Sequence, residues 1–384
     1  MTTHLLQDIA PQTPLSDPFS SAAAQSAVLE LDGARLVAVA TLPQRARGAI
    51  GKRETAIFRQ AIATASEHRL PLVMLIDSAG AKIDEGVAVQ GDLRALIGDL
   101  LVQRQRIPGI LAVLGRHTFG GASLVAMCAD QRLYPPGNRL AMSGPRLLYA
   151  HNTDPRRVDA VISSASRLRC DPAGHATSET PTALRDDIAR WLASPRRGSF
   201  NVHPEADGGE STPSVRVSQS RLSQSQLSQS RLSQSRQGQP ARIDCLGSAP
   251  PDHRDLADRA LAIQRLPAGL PLILRCQWSC HSLRAIDEAR LQSLALVRLA
   301  STIEHRVRSG DTVELVIDGE LSGGIYLALA ACASRVRLTV RGRVRSLPSR
   351  VAELITPRGD HPQASAEHLH ALGIIDTLEV RDEH

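Results

Sequence analysis

A low-complexity stretch divides this chain of 384 residues into two unequal parts. Residues 218–237 repeat a pentapeptide four times, as SQSRL, SQSQL, SQSRL and SQSRQ. A Leu at every fifth position fits neither the period of a helix nor that of a strand. Together with the polar, Pro- and Gly-rich residues before it, this segment has too little apolar surface to pack. We therefore predict a flexible linker over 195–243 that joins two folded domains, over 24–194 and 244–384.

The composition excludes several classes of protein. Apolar residues make up 42% of the chain but aromatic residues only 2%, so few rings are available to stack on bases, and no nucleic-acid partner is expected despite a net charge of +6. No apolar run approaches the roughly 20 residues of a membrane span. Residues 1–23, which we expect to be disordered, lack the pattern of a secretory signal. We therefore expect a cytoplasmic protein that does not bind a membrane.

The six cysteines are scattered along the chain, which favours reduced thiols over a disulfide framework. Cys276, Cys280 and His281 form the one cluster that could suggest a metal. A structural zinc site needs four ligands, and no second pair of ligand residues lies nearby in the sequence. We therefore expect no metal site.

Both parts of the chain repeat the order strand, turn, helix. In the first part, residues 27–41 alternate like a strand, residues 51–68 have the spacing of an amphipathic helix, and residues 72–77 form the continuous apolar run of a buried parallel strand. In the second part, a helix over 284–309 follows a strand over 270–277. This repeated order predicts an α/β fold with right-handed crossovers.

Turns built from very small residues follow the predicted strands. They are Ser78-Ala79-Gly80-Ala81 and Phe119-Gly120-Gly121 in the first part, and the segment 319–324 in the second. A turn without side chains at a helix start exposes backbone N–H groups at the positive end of the helix dipole. Two such turns on adjacent strands could hold one oxyanion, such as the enolate oxygen of a thioester. The double glycine could also serve only to let the helix pack close to the sheet, and this alternative stays open here.

The first part resembles the carboxyltransferase branch of the crotonase superfamily, and within it the β subunit of biotin-independent malonate decarboxylases. The resemblance rests on the Asp77–Glu85 loop, the Gly120-Gly121 helix start, Asp130 and the Ser143–Pro145 turn. The second part is similar to the γ subunit through GELSGGIYLALAACASRVRLTV and ALGIIDTLEV. The resemblance implies two crotonase-like domains of ββα repeats, with the β and γ subunits fused in one chain.

The chain departs from that family at several positions. Lys82 replaces the usual Arg of the first loop and Asp84 the usual Gln, and CQWSCHSLRAIDE stands where a Pro-Gly loop is expected in the second part. The last change puts a second oxyanion pocket in doubt. No biotinyl-lysine motif or phosphopantetheine serine is present. The resemblance therefore implies no directly bound cofactor; a separate acyl carrier protein, or CoA, would carry the thioester, and a malonyl-loading transferase would supply it.

The resemblance implies decarboxylation of a malonyl thioester to an acetyl thioester through an enolate. The predicted enolate donors are the amides of Gly121 and, beside it, Gly120, paired with Ala81 or Gly80. His117 is either the proton donor or an ordinary loop residue, and Glu85 is either a helix cap or a partner of Lys82. The residues predicted to contact substrate or carrier are Ser322, Gly323, Gly324, Arg116 and Lys82.

Two other functions remain open from the sequence. One is a carboxyltransferase component of a biotin-dependent acyl-CoA carboxylase, and the other is a non-catalytic scaffold that binds acyl carriers. In each case we expect the two parts to pair across one cleft, within the chain or between chains of a homo-oligomer.

Overall fold

The computed structural model describes residues 11–17, 20–195, 240–245, 249–348 and 364–378. The repeated pentapeptides, and with them most of the predicted linker, lie outside these ranges. Strand β9 begins at Ala241, so residues 241–243, which were predicted to belong to the linker, are part of the fold. The mixed α/β class expected from the sequence is confirmed.

The first part of the chain forms one sheet with helices on both faces. Its strands are β1 Pro11–Pro14, β2 Ala24–Leu31, β3 Ala34–Thr41, β4 Leu72–Ser78, β5 Ile110–Phe119, β6 Gln131–Tyr134, β7 Arg139–Ala141 and β8 Gly174–Ala176. They lie in the order β1-β2-β3-β4-β5-β6-β8, with β7 beside β5. The strands from β3 onward pair in parallel, while β1 and β2 are antiparallel additions at one edge.

Two expectations for the N-terminal region were wrong. Residues 27–41 are two strands and not one, because Asp32 and Gly33 both take positive φ, the geometry of a tight hairpin turn. The described residues before position 24 are not disordered. Strand β1 pairs with β2, and Ala22 and Ala23 are 1% exposed.

The α-helices that connect or cover these strands in the described ranges are α1 Lys52–His68, α2 Ala88–Gln103, α3 Gly121–Met127, α4 Pro145–His151, α5 Pro155–Ile162, α6 Ser164–Cys170 and α7 Pro181–Ala193. Helices α1, α2 and α3 pack on one face of the sheet, where their apolar side chains join the main core. Helix α7 covers the other face through Leu184, Ile188 and Trp191. The central strands are therefore buried on both sides, as their continuous apolar sequences predict.

The second part repeats this layout on a smaller scale. Its parallel sheet, ordered β15-β13-β11-β10-β9, consists of β9 Ala241–Cys245, β10 Leu272–Cys276, β11 Val313–Ile317, β13 Arg335–Leu338 and β15 Thr377–Leu378. A separate parallel pair is formed by β12 Glu320–Ser322 and β14 Arg343–Arg345. The helices are α8 His253–Arg265, α9 Ala285–Glu288, α10 Gln292–Arg308, α11 Gly323–Ala330 and α12 Ala366–Ala371. The helix predicted over 284–309 is broken into α9 and α10 at Leu291, which has φ of +57°.

The two parts of the chain share one apolar core. A single cluster of buried residues contains Leu96 and Ala122 of the first part and Leu296 and Leu321 of the second. Helix α10 packs on α3, and helix α11 packs on α2. The pairing of the two parts that we expected therefore occurs within this chain, and it brings the starts of α3 and α11 toward the same interface.

Candidate functional site

The first glycine turn forms where β4 and β5 end side by side. Gly80 has φ of +113°, and a Cβ on it would lie 3.1 Å from the Phe119 carbonyl oxygen and 3.8 Å from Gly120 Cα. Gly120 also takes a positive φ, +56°, and a Cβ there would lie 3.7 Å from Gly80 Cα. Parallel pairing of Ser78 with Thr118 sets this approach. The structure thus brings together the two small-residue turns that the sequence singles out.

Only some amides of these turns are available to a ligand. The Gly80 N–H donates to Ser78 Oγ at 3.1 Å, and the Gly120 N–H donates to the Ala141 carbonyl at 3.1 Å. Within the described ranges, no group accepts a hydrogen bond from the Ala81 or Gly121 amide. Gly121 is the first residue of α3, where an amide has no acceptor in its own helix. Of the four predicted donors, Ala81 and Gly121 therefore remain open.

The packing explanation for the double glycine also holds. A Cβ on Gly121 would lie 2.6 Å from Leu93 Cδ1 on α2, so the helix start sits too close to its neighbour for a larger residue. Every residue of α3 is buried. Close packing and an open amide are compatible at this position, because the amide points along the helix axis while the Cβ would point sideways.

A second glycine turn, with the same φ at its first glycine, begins α11. Gly323 has φ of +56°, and a Cβ on Gly324 would lie 2.9 Å from Leu296 Cδ1 on α10. Ser322 is fully buried, and its hydroxyl donates to the Ser279 carbonyl at 2.9 Å. The Ser322 hydroxyl is therefore engaged in holding the loop after β10. The glycines leave the helix start without side chains.

His281 takes, in the second turn, the place that Gly80 has in the first. A Cβ on Gly323 would lie 3.4 Å from His281 Cε1 and 3.5 Å from its Nδ1. This imidazole comes from the segment CQWSCHSLRAIDE, whose departure from the family pattern raised the doubt about a second oxyanion pocket. A side chain and not a second backbone turn therefore faces Gly323.

The ring of His281 also links the two parts of the chain. Its Nε2 lies 2.9 Å from the hydroxyl oxygen of Ser143, in the turn that precedes α4. Its Nδ1 is buried and has no hydrogen-bond partner among the described residues. Burial lowers the pKa of His281 to about 4, so the ring is neutral at pH 7. The donor in this contact depends on the ring tautomer: with Ser143 donating to Nε2, the single ring proton lies on Nδ1, which faces Gly323.

A buried carboxylate supports the same turn from the second part. Glu288 Oε2 accepts a hydrogen bond from the Met142 amide at 3.1 Å, and Arg167 Nη1 lies 3.8 Å from Oε1. Arg167 also donates to the Glu288 carbonyl at 2.7 Å. Burial raises the pKa of Glu288 to about 7, so its charge changes near neutrality. This cluster fixes the Met142-Ser143 backbone against the second part of the chain.

Met142 connects the two glycine turns. Its carbonyl oxygen lies 3.9 Å from the position of a Cβ on Gly120, and its Cε lies 3.0 Å from that of a Cβ on Gly324. The two turns, Ser143 and His281 are therefore neighbours at the interface between the parts. The arrangement combines backbone amides without acceptors and a buried, neutral imidazole.

His117 lies beside the first turn but is engaged elsewhere. Its Nδ1 is 3.9 Å from Asp77 Oδ1, its ring centroid is 5.7 Å from that of Phe119, and its side chain is 44% exposed. Burial lowers the pKa of His117 below the ordinary value for histidine. Arg116 is exposed, and its amide and that of His117 both donate to the Asp77 carboxylate. The Asp77 side chain thus holds the irregular end of β5.

Lys82 is bound to a buried carboxylate that the sequence analysis did not single out. Its Nζ lies 2.7 Å from Glu54 Oε1, and Glu54 accepts amide hydrogen bonds from Ala23 and Gly51 as well. Although burial opposes it, the Lys82 ammonium and these amides hold the pKa of Glu54 below its ordinary value. Glu85 caps α1 through the Lys52 amide and does not pair with Lys82.

Sequence reasoning missed Glu54, Glu288 and the role of His281. The sequence did mark the loop of His281 as a departure, but it gave no sign that the ring would meet Ser143, 138 positions away. Within the described ranges, no group of three or more His, Cys, Asp or Glu side chains has an arrangement that could hold a metal ion. Nor does that part of the chain contain a helix long and apolar enough to cross a membrane.

Comparison with known proteins finds a family match within the first part of the chain. Residues 27–166 match the model of the Carboxyl transferase domain family. The chain is 30% identical over 133 residues to the probable mitochondrial methylcrotonoyl-CoA carboxylase beta chain of Drosophila melanogaster, covering 34% of this chain and 22% of that protein. It is 26% identical over 144 residues to the acetyl-coenzyme A carboxylase carboxyl transferase subunit beta of Chelativorans sp. (strain BNC1), covering 37% and 45%. The chain thus spans less than half the length of these relatives.

Two solved structures align with this chain at low identity. The Pseudomonas malonate decarboxylase MdcD-MdcE hetero-dimer is 18% identical, with a TM-score of 0.41, over 50% of this chain and 85% of that chain. The transcarboxylase 12S structure is 12% identical, with a TM-score of 0.45, over 98% of this chain and 86% of that chain. Likenesses at this level do not define the site or its reaction.

Proposed function

We propose that this chain decarboxylates a malonyl thioester and that the backbone amides of Ala81 and Gly121 bind the enolate oxygen. The observation that carries the proposal is the pair of open amides on two turns in contact, inside a segment that matches the carboxyl transferase domain. Preorganised N–H donors of this kind stabilise a developing oxyanion strongly, because they need no reorganisation during the reaction.

The reaction follows from the substrate's own electron sink. Cleavage of the bond between the carboxylate carbon and C2 releases CO2, and the electron pair of that bond enters the thioester as an enolate. Addition of one proton at C2 then gives the acetyl thioester. CO2 leaves as a neutral molecule, so the negative charge of the carboxylate stays behind on the thioester oxygen. This oxygen is the atom that the two amides would bind.

The second glycine turn would hold the carboxylate before it leaves. Gly323 and Gly324 offer a helix start without side chains, and Ser322 fixes the loop beside it. His281 Nδ1 is a buried ring nitrogen without a partner in the described chain, and in the tautomer with its proton on Nδ1 it would donate to the carboxylate. Hydrogen bonds from this side would keep the breaking bond perpendicular to the thioester plane, as overlap with the carbonyl requires. The buried surroundings favour the step further, since the charge moves out of a localised carboxylate.

The proton that completes the product has two candidate sources beside the site. His117 is the half-exposed imidazole next to the first turn, and it can exchange protons with solvent. His281 is buried and neutral at pH 7. We assign the proton to His117 and the orientation of the carboxylate to His281.

The thioester would be presented by a partner molecule. We propose a separate acyl carrier protein, loaded by a malonyl transferase, with CoA as the small-molecule equivalent. Arg116 is exposed at the rim of the first turn and could contact the carrier, whereas Lys82 is committed to Glu54 and would act only through the loop it holds. We propose further that the chain binds no other cofactor, that it is located in the cytoplasm and that it forms homo-oligomers.

A carboxyltransferase reaction is the second candidate. The curated relatives of this chain are named as acyl-CoA carboxylase subunits, and the same enolate would accept a carboxyl group in the reverse direction. The third candidate, a non-catalytic scaffold that binds acyl carriers, requires the open amides to have no chemical role. Turnover of substrate would distinguish the decarboxylase and the carboxyltransferase from the scaffold. A requirement for carboxylated biotin would distinguish the carboxyltransferase from the decarboxylase.

The deciding experiment compares Gly121→Pro with Gly121→Ala. Both add a Cβ toward Leu93, but only proline removes the N–H, and proline is well tolerated at the first position of a helix. Purified protein is incubated with malonyl-CoA and with malonyl-loaded carrier, and the acetyl product is followed by mass spectrometry. We expect the proline variant to be about 10² to 10³ times slower than the alanine variant. Equal rates in the two variants, or no product from the unchanged protein, would refute the proposal.

A further inference from the structure

A basic cleft of about 640 Å³ lies between the two parts of the chain, apart from the glycine turns. Its walls come from the end of α6 in the first part and from the starts of α8 and α10 in the second. A volume of this size is in the range of pockets that bind small organic ligands. None of its lining residues has a role in the function proposed above.

The charge of the cleft is strongly positive. Arg169, Arg254, Arg290 and Arg298 line it, and Asp171 is the single carboxylate among the lining residues. Arg169, Arg254 and Arg290 are exposed, and none of the three forms an ion pair within the described chain. Arginines that face a common space without counter-charges repel one another, and an anion placed among them relieves that repulsion.

The one lining carboxylate cannot neutralise these arginines. Asp171 is 4% exposed, and both of its oxygens are bound by Arg132, at 2.5 and 2.7 Å, while Tyr134 donates to one of them at 2.7 Å. Asp252, next to the cleft in sequence, caps α8 by accepting from the Arg254 and Asp255 amides. Arg169, Arg254 and Arg290 therefore keep a positive charge that no carboxylate of the described chain pairs with.

The cleft also has an apolar part. Leu168, Pro172, Leu294 and Ala295 line it beside the arginines, and Leu294 and Ala295 are only 5% and 6% exposed. A small inorganic anion would leave this surface uncovered. A ligand that joins several negative charges to a flat or apolar group would cover both parts at once.

We propose that this cleft binds a nucleoside phosphate with at least two phosphate groups, the phosphates on the arginines and the base on the apolar wall. Guanidinium groups suit phosphate because they donate two parallel hydrogen bonds to it. The same chemistry is offered by a free nucleoside diphosphate and by the nucleotide end of CoA. The inference does not depend on the decarboxylation proposed above, since it concerns a different set of residues.

Isothermal titration of the full chain with ADP, CoA, pantetheine and inorganic pyrophosphate tests the proposal. We expect ADP and CoA to bind with one site per chain, pantetheine not to bind, and pyrophosphate to bind more weakly than ADP. Tighter binding of CoA than of ADP would identify the CoA nucleotide as the source, and equal binding would identify the shared diphosphate. If neither nucleotide binds, or if pantetheine binds as well as CoA, the proposal is wrong.

Charge-reversed variants locate the binding. Arg254→Glu combined with Arg290→Glu should weaken ADP binding at least tenfold, and Arg254→Gln with Arg290→Gln should weaken it less. Arg106→Glu is the matched control, because Arg106 is also exposed but lies outside the cleft. Affinity should fall as salt is raised, since the contacts are ionic and partly exposed. Unchanged affinity in both cleft variants, with their circular dichroism unaltered, would overturn the assignment.

Discussion

Gly120 and Gly323 have the same backbone φ of +56° at equivalent points of the two parts of the chain. Each is followed by a glycine whose Cβ would meet a leucine of the preceding helix, Leu93 in one case and Leu296 in the other. The repeat therefore extends from the order of elements to the conformation of single residues. What differs is the neighbour: a backbone turn lies against Gly120, whereas the imidazole of His281 lies against Gly323.

The positive φ of Gly120 predicts that alanine there is strained even though space is available. The nearest atom to an added Cβ is Gly80 Cα at 3.7 Å, an ordinary contact, so the cost is conformational: at φ of +56° and ψ of −132° a residue with a Cβ is strained by about 1 to 3 kcal/mol. We expect Gly120→Ala to lower both the free energy of unfolding in urea and the decarboxylation rate. Gly144→Ala is the control, because Gly144 has φ of −60° and no atom lies within 4 Å of its Cβ position. Similar losses in both variants would contradict the explanation.

The pair formed by Ser143 and His281 predicts a loss of activity without a change in pH profile. Because the pKa of His281 is about 4, the ring stays neutral between pH 5 and 8, and its contribution as a hydrogen-bond donor is constant there. We expect His281→Gln to lower kcat about a hundredfold and Ser143→Ala to lower it less, since serine acts through the ring. The measurement is kcat against pH for each variant. A profile whose midpoint moves in His281→Gln would show that the ring titrates during the reaction.

For His117 we expect the opposite result, a change in the pH profile of the rate. Its pKa is lowered by burial from the usual histidine value, so at pH 7 only a minor fraction of the ring carries the proton to be donated. The decarboxylation rate should therefore rise as the pH falls below 7 and level off below that pKa. In His117→Gln this rise should disappear and the rate at pH 6 should drop about tenfold or more. An unaltered pH profile in the variant would remove His117 as the proton donor.

The contact between Lys82 and Glu54 predicts a structural role for the lysine. Glu54 is fully buried, so Lys82→Met leaves a carboxylate without its cation and should cost about 3 to 5 kcal/mol of stability. The double variant Lys82→Met, Glu54→Gln removes both charges and should recover most of this loss. Chemical denaturation of the three proteins measures it. If activity stays lost in the double variant while stability returns, Lys82 contacts the substrate directly.

Glu288 predicts a specific dependence of stability on pH. Its folded pKa of about 7 lies above the unfolded value of about 4.3, so the folded state retains a proton that the unfolded state has released. Its contribution to stability is complete below pH 4 and is lost as the pH rises through 7. In Glu288→Gln we expect this downward slope between pH 4.5 and 7 to disappear, a difference of about 2 to 3 kcal/mol across the window. His281 acts in the opposite direction below pH 6.5, but equally in both proteins.

The elements could be predicted from the sequence because their signals are local. The strand from Leu72 and the helix from Lys52 begin within one residue of their predicted positions, since apolar period and flanking glycine or proline mark both. The first glycine turn was found for the same reason. The break at Leu291 was missed because a leucine with positive φ is held there by its surroundings and not by its own preference.

The second half of the site was not predictable in this way. The contact between Ser143 and His281 depends on how α3 and α10 pack, which no local period encodes. In the sequence AIDE, Glu288 has the pattern of an exposed acidic residue on a helix. It is buried because Met142 and Arg167, which are distant in sequence, pack against it. Residues whose role depends on long-range packing were therefore the ones that sequence reasoning missed.

Arg94 shows what keeps the two parts of the chain in register. From helix α2 its guanidinium donates to the carbonyls of Ala330, Gly373 and Ile374 and pairs with Asp376. One cation of the first part thus fastens both the end of helix α11 and the approach to the last strand of the second part. The contacts of Arg94 and the shared core are non-covalent, so two separately translated polypeptides could form the same interface. The covalent connection between the two parts would then raise their local concentration without changing the structure of the interface.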